Sequence, residues 1–121
     1  MTPSHNSKVF LCHKTVDFRF GFDRLADICK QFAQESPYDG GFFVFFNRSF
    51  TRAKIIFYDG SGCCMLWKRL ERGRFKPALS TSKSFATLGS SELMLLLEGV
   101  DYSKVQRPDK WSPPRLVPEN T

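Results

Sequence analysis

The chain has 121 residues, 41% of them hydrophobic and 25% charged, with 18 Lys/Arg against 12 Asp/Glu and a net charge of +6. That length suits one domain with a single core, and no apolar run approaches the ~18 residues of a membrane-spanning helix. A basic balance of this size draws attention to polyanions: DNA, RNA or an acidic protein surface.

Residues 1–7 read as a loose lead-in. The opening MTPSHNSK lacks the apolar centre of a signal peptide, so cytoplasmic residence is the expectation, with nucleoid association when bound to DNA. Residues 8–20 predict a strand or two short strands, because Val16, Phe18 and Phe20 alternate with Asp17 and Arg19. A helix is predicted over 23–35, with Leu25, Ile28, Cys29 and Phe32 on one face and Asp23 as its cap. Ser36-Pro37 should end it, and Tyr38 to Gly41 should turn.

Phe42 to Phe46, FFVFF, predicts a strand, and Ala53 to Tyr58 and Cys63 to Leu70 predict two more. Their links are the short connection Asn47–Thr51 and the tight turn Asp59-Gly60-Ser61-Gly62. Short links favour an antiparallel meander. Phe75 to Ala86 carries no clear pattern. A last helix is predicted over 91–98, capped by Ser90, with Leu93, Leu96 and Leu97 inward and Gly99 closing it. The expected fold is therefore α+β: an antiparallel β meander of at least three strands with one or two helices packed on one face. It occupies 1–103 as a single domain. Residues 104–121 form a proline-rich basic tail, expected to be extended or disordered.

Charge is concentrated between Arg48 and Lys76. Eight basic residues (Arg48, Arg52, Lys54, Lys68, Arg69, Arg72, Arg74 and Lys76) stand there against Asp59 and Glu71, a net +6 that equals the charge of the whole chain. In a meander the start of the middle strand lies beside the end of the last, so Arg52 and Lys54 should approach Lys68 to Arg72. Strand parity sets Trp67 and Arg69 on one face and Lys68 and Leu70 on the other. If the chain beyond stays extended, Arg72, Arg74 and Lys76 line one side about 6–7 Å apart, near the spacing of phosphates along a nucleic-acid strand. Guanidinium forks suit phosphate oxygens. The plainer reading is a solvated charged loop. Tyr58 and Trp67 could stack on bases, although packing into the core is the better expectation for both.

Catalytic and metal-binding patterns are weak. Cys12, Cys29, Cys63 and Cys64 form no CxxC, and only His5 and His13 are present, so structural or reduced thiols are expected and no metal or cofactor. His13 and Cys12 are neighbours whose side chains would face opposite ways in a strand. Asp17, Asp23, Asp59, Glu71 and Glu98 would make a metal site only if the fold gathered them. No P-loop, HExxH or GxSxG occurs, nor an RRM, KH, zinc-finger or helix-turn-helix signature.

The order of several blocks resembles the IS66 insertion-sequence accessory family, known as TnpB or Orf2-like. They are Asp17-Phe18-Arg19, Gly21-Phe22-Asp23 with Leu25, Phe43-Val44-Phe45 before Asn47-Arg48, and Lys54-Ile55. Asp59-Gly60 with Gly62 follows, then Lys68-Arg69-Leu70-Glu71 with Gly73-Arg74-Phe75, and Leu96-Leu97-Glu98-Gly99. The resemblance spans roughly residues 9–101. Two departures are Tyr58, where the family typically has Trp, and Lys76-Pro77, which lacks a Trp before the proline. The resemblance implies an accessory role, not a catalytic one, in transposition of an IS66-type element, beside a separate, larger transposase. It does not extend to the much larger RNA-guided nucleases that share the TnpB name.

The expectation is a non-enzymatic accessory protein that binds duplex transposon DNA, or the transposase–DNA complex, through the eight basic residues. Arg69, Arg72, Arg74 and Lys76 would grip phosphates, with Arg48, Arg52 and Lys54 extending the patch and Lys68 set opposite Arg69. The alternatives are a protein–protein adaptor for the transposase, an RNA-binding module, and a small metal-dependent nuclease using Asp17 or Asp59.

Overall fold

The computed structural model describes residues 8–78 and 85–102. The lead-in 1–7, most of the patternless stretch after Phe75 (79–84) and the tail 104–121 lie outside them.

Five strands form one sheet: β1 (Val9–Cys12), β2 (Phe42–Phe46), β3 (Arg52–Tyr58), β4 (Cys63–Arg69) and β5 (Phe85–Leu88). Their spatial order is β4-β3-β2-β1-β5. β2, β3 and β4 make the expected antiparallel meander, with Val44 opposite Ile55 and Ile55 opposite Leu66. β1 adds beside β2 in parallel, and β5 closes that side antiparallel to β1.

Alternation splits the sheet's side chains between two cores. Val9, Leu11, Val44, Phe46, Ala53, Ile55 and Phe57 meet Leu93 and Leu96 of helix α2 (Ser90–Leu97) on one face. Phe10, Cys12, Phe43, Phe45 and Ile56 meet Leu25 and Cys29 on the other. The two helices thus cover opposite faces of the sheet rather than one. An apolar run such as FFVFF, with every residue buried, is what a strand needs when both its faces are roofed.

The first helix, α1 (Phe22–Ile28), runs into a wider π-turn over Cys29–Ala33 and stops at Gln34, whose φ of 56° is left-handed. Gly21, not Asp23, is its N-cap, and no side chain bonds to the cap position. Ser36 instead caps a short 3-10 turn, Pro37–Asp39, by accepting from the Tyr38 N–H. At α2 the cap is Gly89 rather than Ser90, and the Glu92 carboxylate accepts from the Gly89 N–H at 2.9 Å. Its far end closes as expected: Gly99 (φ 83°) donates to Leu96 O and Val100 to Leu95 O, both at 3.0 Å.

Val16 to Phe20 is not a strand. It keeps the inward–outward alternation its sequence shows, but as a loop laid over the α1 face. Val16 N–H reaches Phe46 O at 2.9 Å, and a turn from Asp17 to Phe20 follows. No helix among the described residues is long and apolar enough to cross a membrane.

Candidate nucleic-acid interface

The basic residues are distributed by two turns and by strand parity. Asn47 shapes the first turn: its side-chain oxygen accepts from the N–H groups of Thr51 and Arg52 at 3.0 and 2.9 Å. Arg48 is exposed within that turn, and Arg52 is exposed at the first position of β3. Asp59 shapes the second turn by accepting from Ser61 N–H at 3.0 Å and Gly62 N–H at 2.8 Å, which also hold its carboxyl below the usual range. The resulting register sets Arg52 directly opposite Arg69.

That pair is the centre of the site. Two cations sit across from each other on neighbouring strands, an arrangement that disfavours the fold unless an anion compensates. Glu71 reaches Arg69 at 3.4 Å, a long and exposed contact that offsets little. Arg48, Arg52, Arg72, Arg74 and Lys76 form no ion pair among the described residues, and all are exposed.

Lys54 is a correction to the expected patch. It shares a face with Arg52 but is only 7% exposed, and its ammonium turns inward. It donates to Phe18 O at 2.6 Å and Phe20 O at 2.8 Å, and lies 4.7 Å from the Phe18 ring centre. Burial pulls its pKa below the usual lysine range, against the pull of Asp17. Lys54 therefore fastens the loop 16–20 to the sheet. Lys68 lies on the opposite face from Arg69, as parity requires, and donates to Leu97 O at 2.8 Å, at the C-terminal end of α2 where a cation is favoured.

The segment beyond β4 does not stay extended. It bends at 71–73, with Gly73 at φ 74°, so Arg72 falls out of step with Arg74 and Lys76. Phe75 then plugs into the core against Phe46, and its N–H bonds Phe50 O at 2.7 Å. Arg74 and Lys76 flank that anchor and face solvent.

Trp67 also departs from expectation. It is 61% exposed, beside Arg69 on the face that carries Arg52, and Met65 and Leu66 next to it are exposed too. Tyr58 is half-buried against Tyr38. No signal within CCMLWKR distinguishes this strand from a core strand; its position at the sheet edge does.

Three of the carboxylates named from sequence, Asp17, Asp59 and Glu71, are engaged locally. Asp17 holds Arg19 through contacts as short as 2.7 Å, and that guanidinium depresses its pKa to about 2. Among the described residues no three His, Cys, Asp or Glu side chains gather as a metal site would need. Cys12 and Cys29 are buried free thiols, and burial pushes Cys29 up to about 12. Cys63 is exposed and touches the Tyr38 hydroxyl at 3.6 Å.

The family model described as "IS66 Orf2 like protein" matches residues 7–107, which takes in all of the ordered blocks above. The chain belongs to the IS66 Orf2-like family. It is thereby a transposition accessory protein of insertion sequences. Two relatives are uncharacterized proteins of Sinorhizobium fredii (strain NBRC 101917 / NGR234). The chain is 35% identical to y4hO over 96% of its own length and 99% of that protein, and 32% identical to y4jC over 87% and 89%. No solved structure matches the chain.

Proposed function

We propose that this accessory protein grips the phosphate backbone of the insertion element's DNA, alone or within the transposase–DNA complex. Arg52 and Arg69 are the centre of the grip, and Arg48, Arg72, Arg74 and Lys76 widen it. The observation that carries the reading is the facing Arg52–Arg69 pair, exposed and largely uncompensated. A phosphate between the two guanidinium groups turns their repulsion into shared attraction, and each can meet it with paired hydrogen bonds. Such contacts place a protein on DNA without reading bases, so sequence choice falls to the transposase. Lys54 takes no part, and Lys68 faces the other way.

The test is fluorescence-anisotropy binding to labelled duplex DNA across a salt series. If about four phosphates are neutralised, log affinity falls against log salt with a slope near −3.6, and Arg52→Ala/Arg69→Ala makes that slope shallower by about 1.8. A flat response, or a double variant that binds like wild type, sinks the reading. The exposed Met65, Leu66 and Trp67 favour a second one, in which the protein is an adaptor that docks on the transposase. In that case duplex binding is absent at low salt, while a complex with the transposase survives Arg52→Ala/Arg69→Ala.

A further inference from the structure

Among the described residues β4 is an edge strand, and apart from Lys68 and Arg69 at its end it carries none of the devices that keep edges from pairing. It is seven residues long, contains no proline and shows no bulge in its register with β3. Its first five residues, Cys63 to Trp67, carry no charge, and Met65, Leu66 and Trp67 are 39%, 52% and 61% exposed.

The direction of its free hydrogen-bonding groups follows from the ladder. Asp59 N–H bonds Gly62 O at 3.1 Å, and at the other end Leu70 N–H bonds Thr51 O at 2.9 Å. Antiparallel pairs alternate between bonded and non-bonded, so Cys64, Leu66 and Lys68 are the residues bonded to β3. Cys63, Met65, Trp67 and Arg69 point their N–H and C=O groups outward, to the edge that no described strand covers.

From this we infer that β4 pairs with β4 of a second copy of the chain, antiparallel about a two-fold axis at Leu66. In that register Met65 exchanges both backbone bonds with Trp67 of the second copy, and Cys63 with Arg69, so all four outward residues are satisfied. Leu66 meets its own mate, and Cys64 meets Lys68. Apolar residues face apolar residues, and each cationic end lies against an uncharged thiol end. A parallel arrangement would stack Lys68 and Arg69 on their copies. Sliding the antiparallel partner four residues toward the cations would set Lys68 against Lys68. The edge is self-complementary in the one register that uses its whole length, which is the requirement of a two-fold interface. The product is a continuous ten-stranded sheet with both Arg52–Arg69 pairs on one face.

Sedimentation across a concentration series under reducing conditions tests this first, with a mass that rises to twice the monomer. Met65→Pro removes an N–H that does not serve β3, so the fold stays and two intermolecular bonds are lost by symmetry. The dimer should weaken by about ten- to hundredfold. Leu66→Cys in a Cys63→Ser/Cys64→Ser background places two thiols across a non-bonded pair, with Cα atoms about 4.5 Å apart, and should cross-link on mild oxidation. Cys63→Ser alone keeps Cys64, about 14 Å along the strands from its mate, and should not. A chain that stays monomeric overturns the proposal. So does a dimer indifferent to Met65→Pro, or one in which Leu66→Cys fails to cross-link. If Met65→Pro loses its circular-dichroism signature, the cross-link decides.

Discussion

β2 and β4 are nearly interchangeable as text. FFVFF and CCMLW are both five-residue apolar runs that open a strand just after a glycine-containing turn, yet every residue of the first is buried and most of the second is exposed. The difference comes from neighbours. β2 has a strand on either side, and its two faces lie under α1 and α2. β4 has one neighbour, and its outer flank is open among the described residues. Burial is thus a property of place in the sheet order, which is set by the parallel insertion of β1 beside β2, more than 30 residues away in the chain.

The largest effect expected from this contrast is in stability. Phe45→Ala empties a fully buried site and should cost about 3–5 kcal/mol, a large part of what holds a domain this size together. Trp67→Ala, measured at concentrations where the chain is monomeric, should shift the denaturation midpoint little. A comparable loss at Trp67 under those conditions would break the comparison and mean that β4 is covered within the chain itself.

The same contrast runs within β3. Lys54→Ala strands the carbonyls of Phe18 and Phe20 and should cost about 1–3 kcal/mol, whereas Arg52→Ala should leave the midpoint unchanged or raise it by relieving Arg69. Thermal melts of the two variants side by side check this. The reverse order would place the structural cation at 52.

The smallest effect is chemical. Iodoacetamide should label the exposed Cys63 on β4 in the folded protein, and Cys12 and Cys29 only after unfolding, since both are buried and hold their protons. Mass spectrometry of the folded protein reads the sites. Rapid labelling of Cys29 would mean that the α1 face opens readily.

Local chemistry was readable where it decides structure locally. The Asp59 turn, the meander it builds, the Gly99 helix end and the Arg52–Arg69 approach all follow from neighbours in sequence. The parallel β1–β2 pairing, β5, and the split of the helices to opposite faces depend on contacts between distant segments, which no local pattern encodes. The loop 16–20 misled because alternation reports which side chains turn inward, not whether the backbone finds a strand partner. Here it found a lysine instead. Lys54 had left one clue: it is the lone charge inside AKIIF, in a strand flanked on both sides.

The anchoring of Phe75 bears on how the neighbouring cations meet any anion. A free cationic tail must be immobilised on contact, at about 1–2 kcal/mol for each backbone residue fixed. The Phe75 ring against Phe46, and its N–H on Phe50 O, fix the backbone between Arg74 and Lys76 when the domain folds. That conformational entropy is lost once, during folding, and the two side chains arrive at an encounter already preorganised, with only their own rotamers left to order.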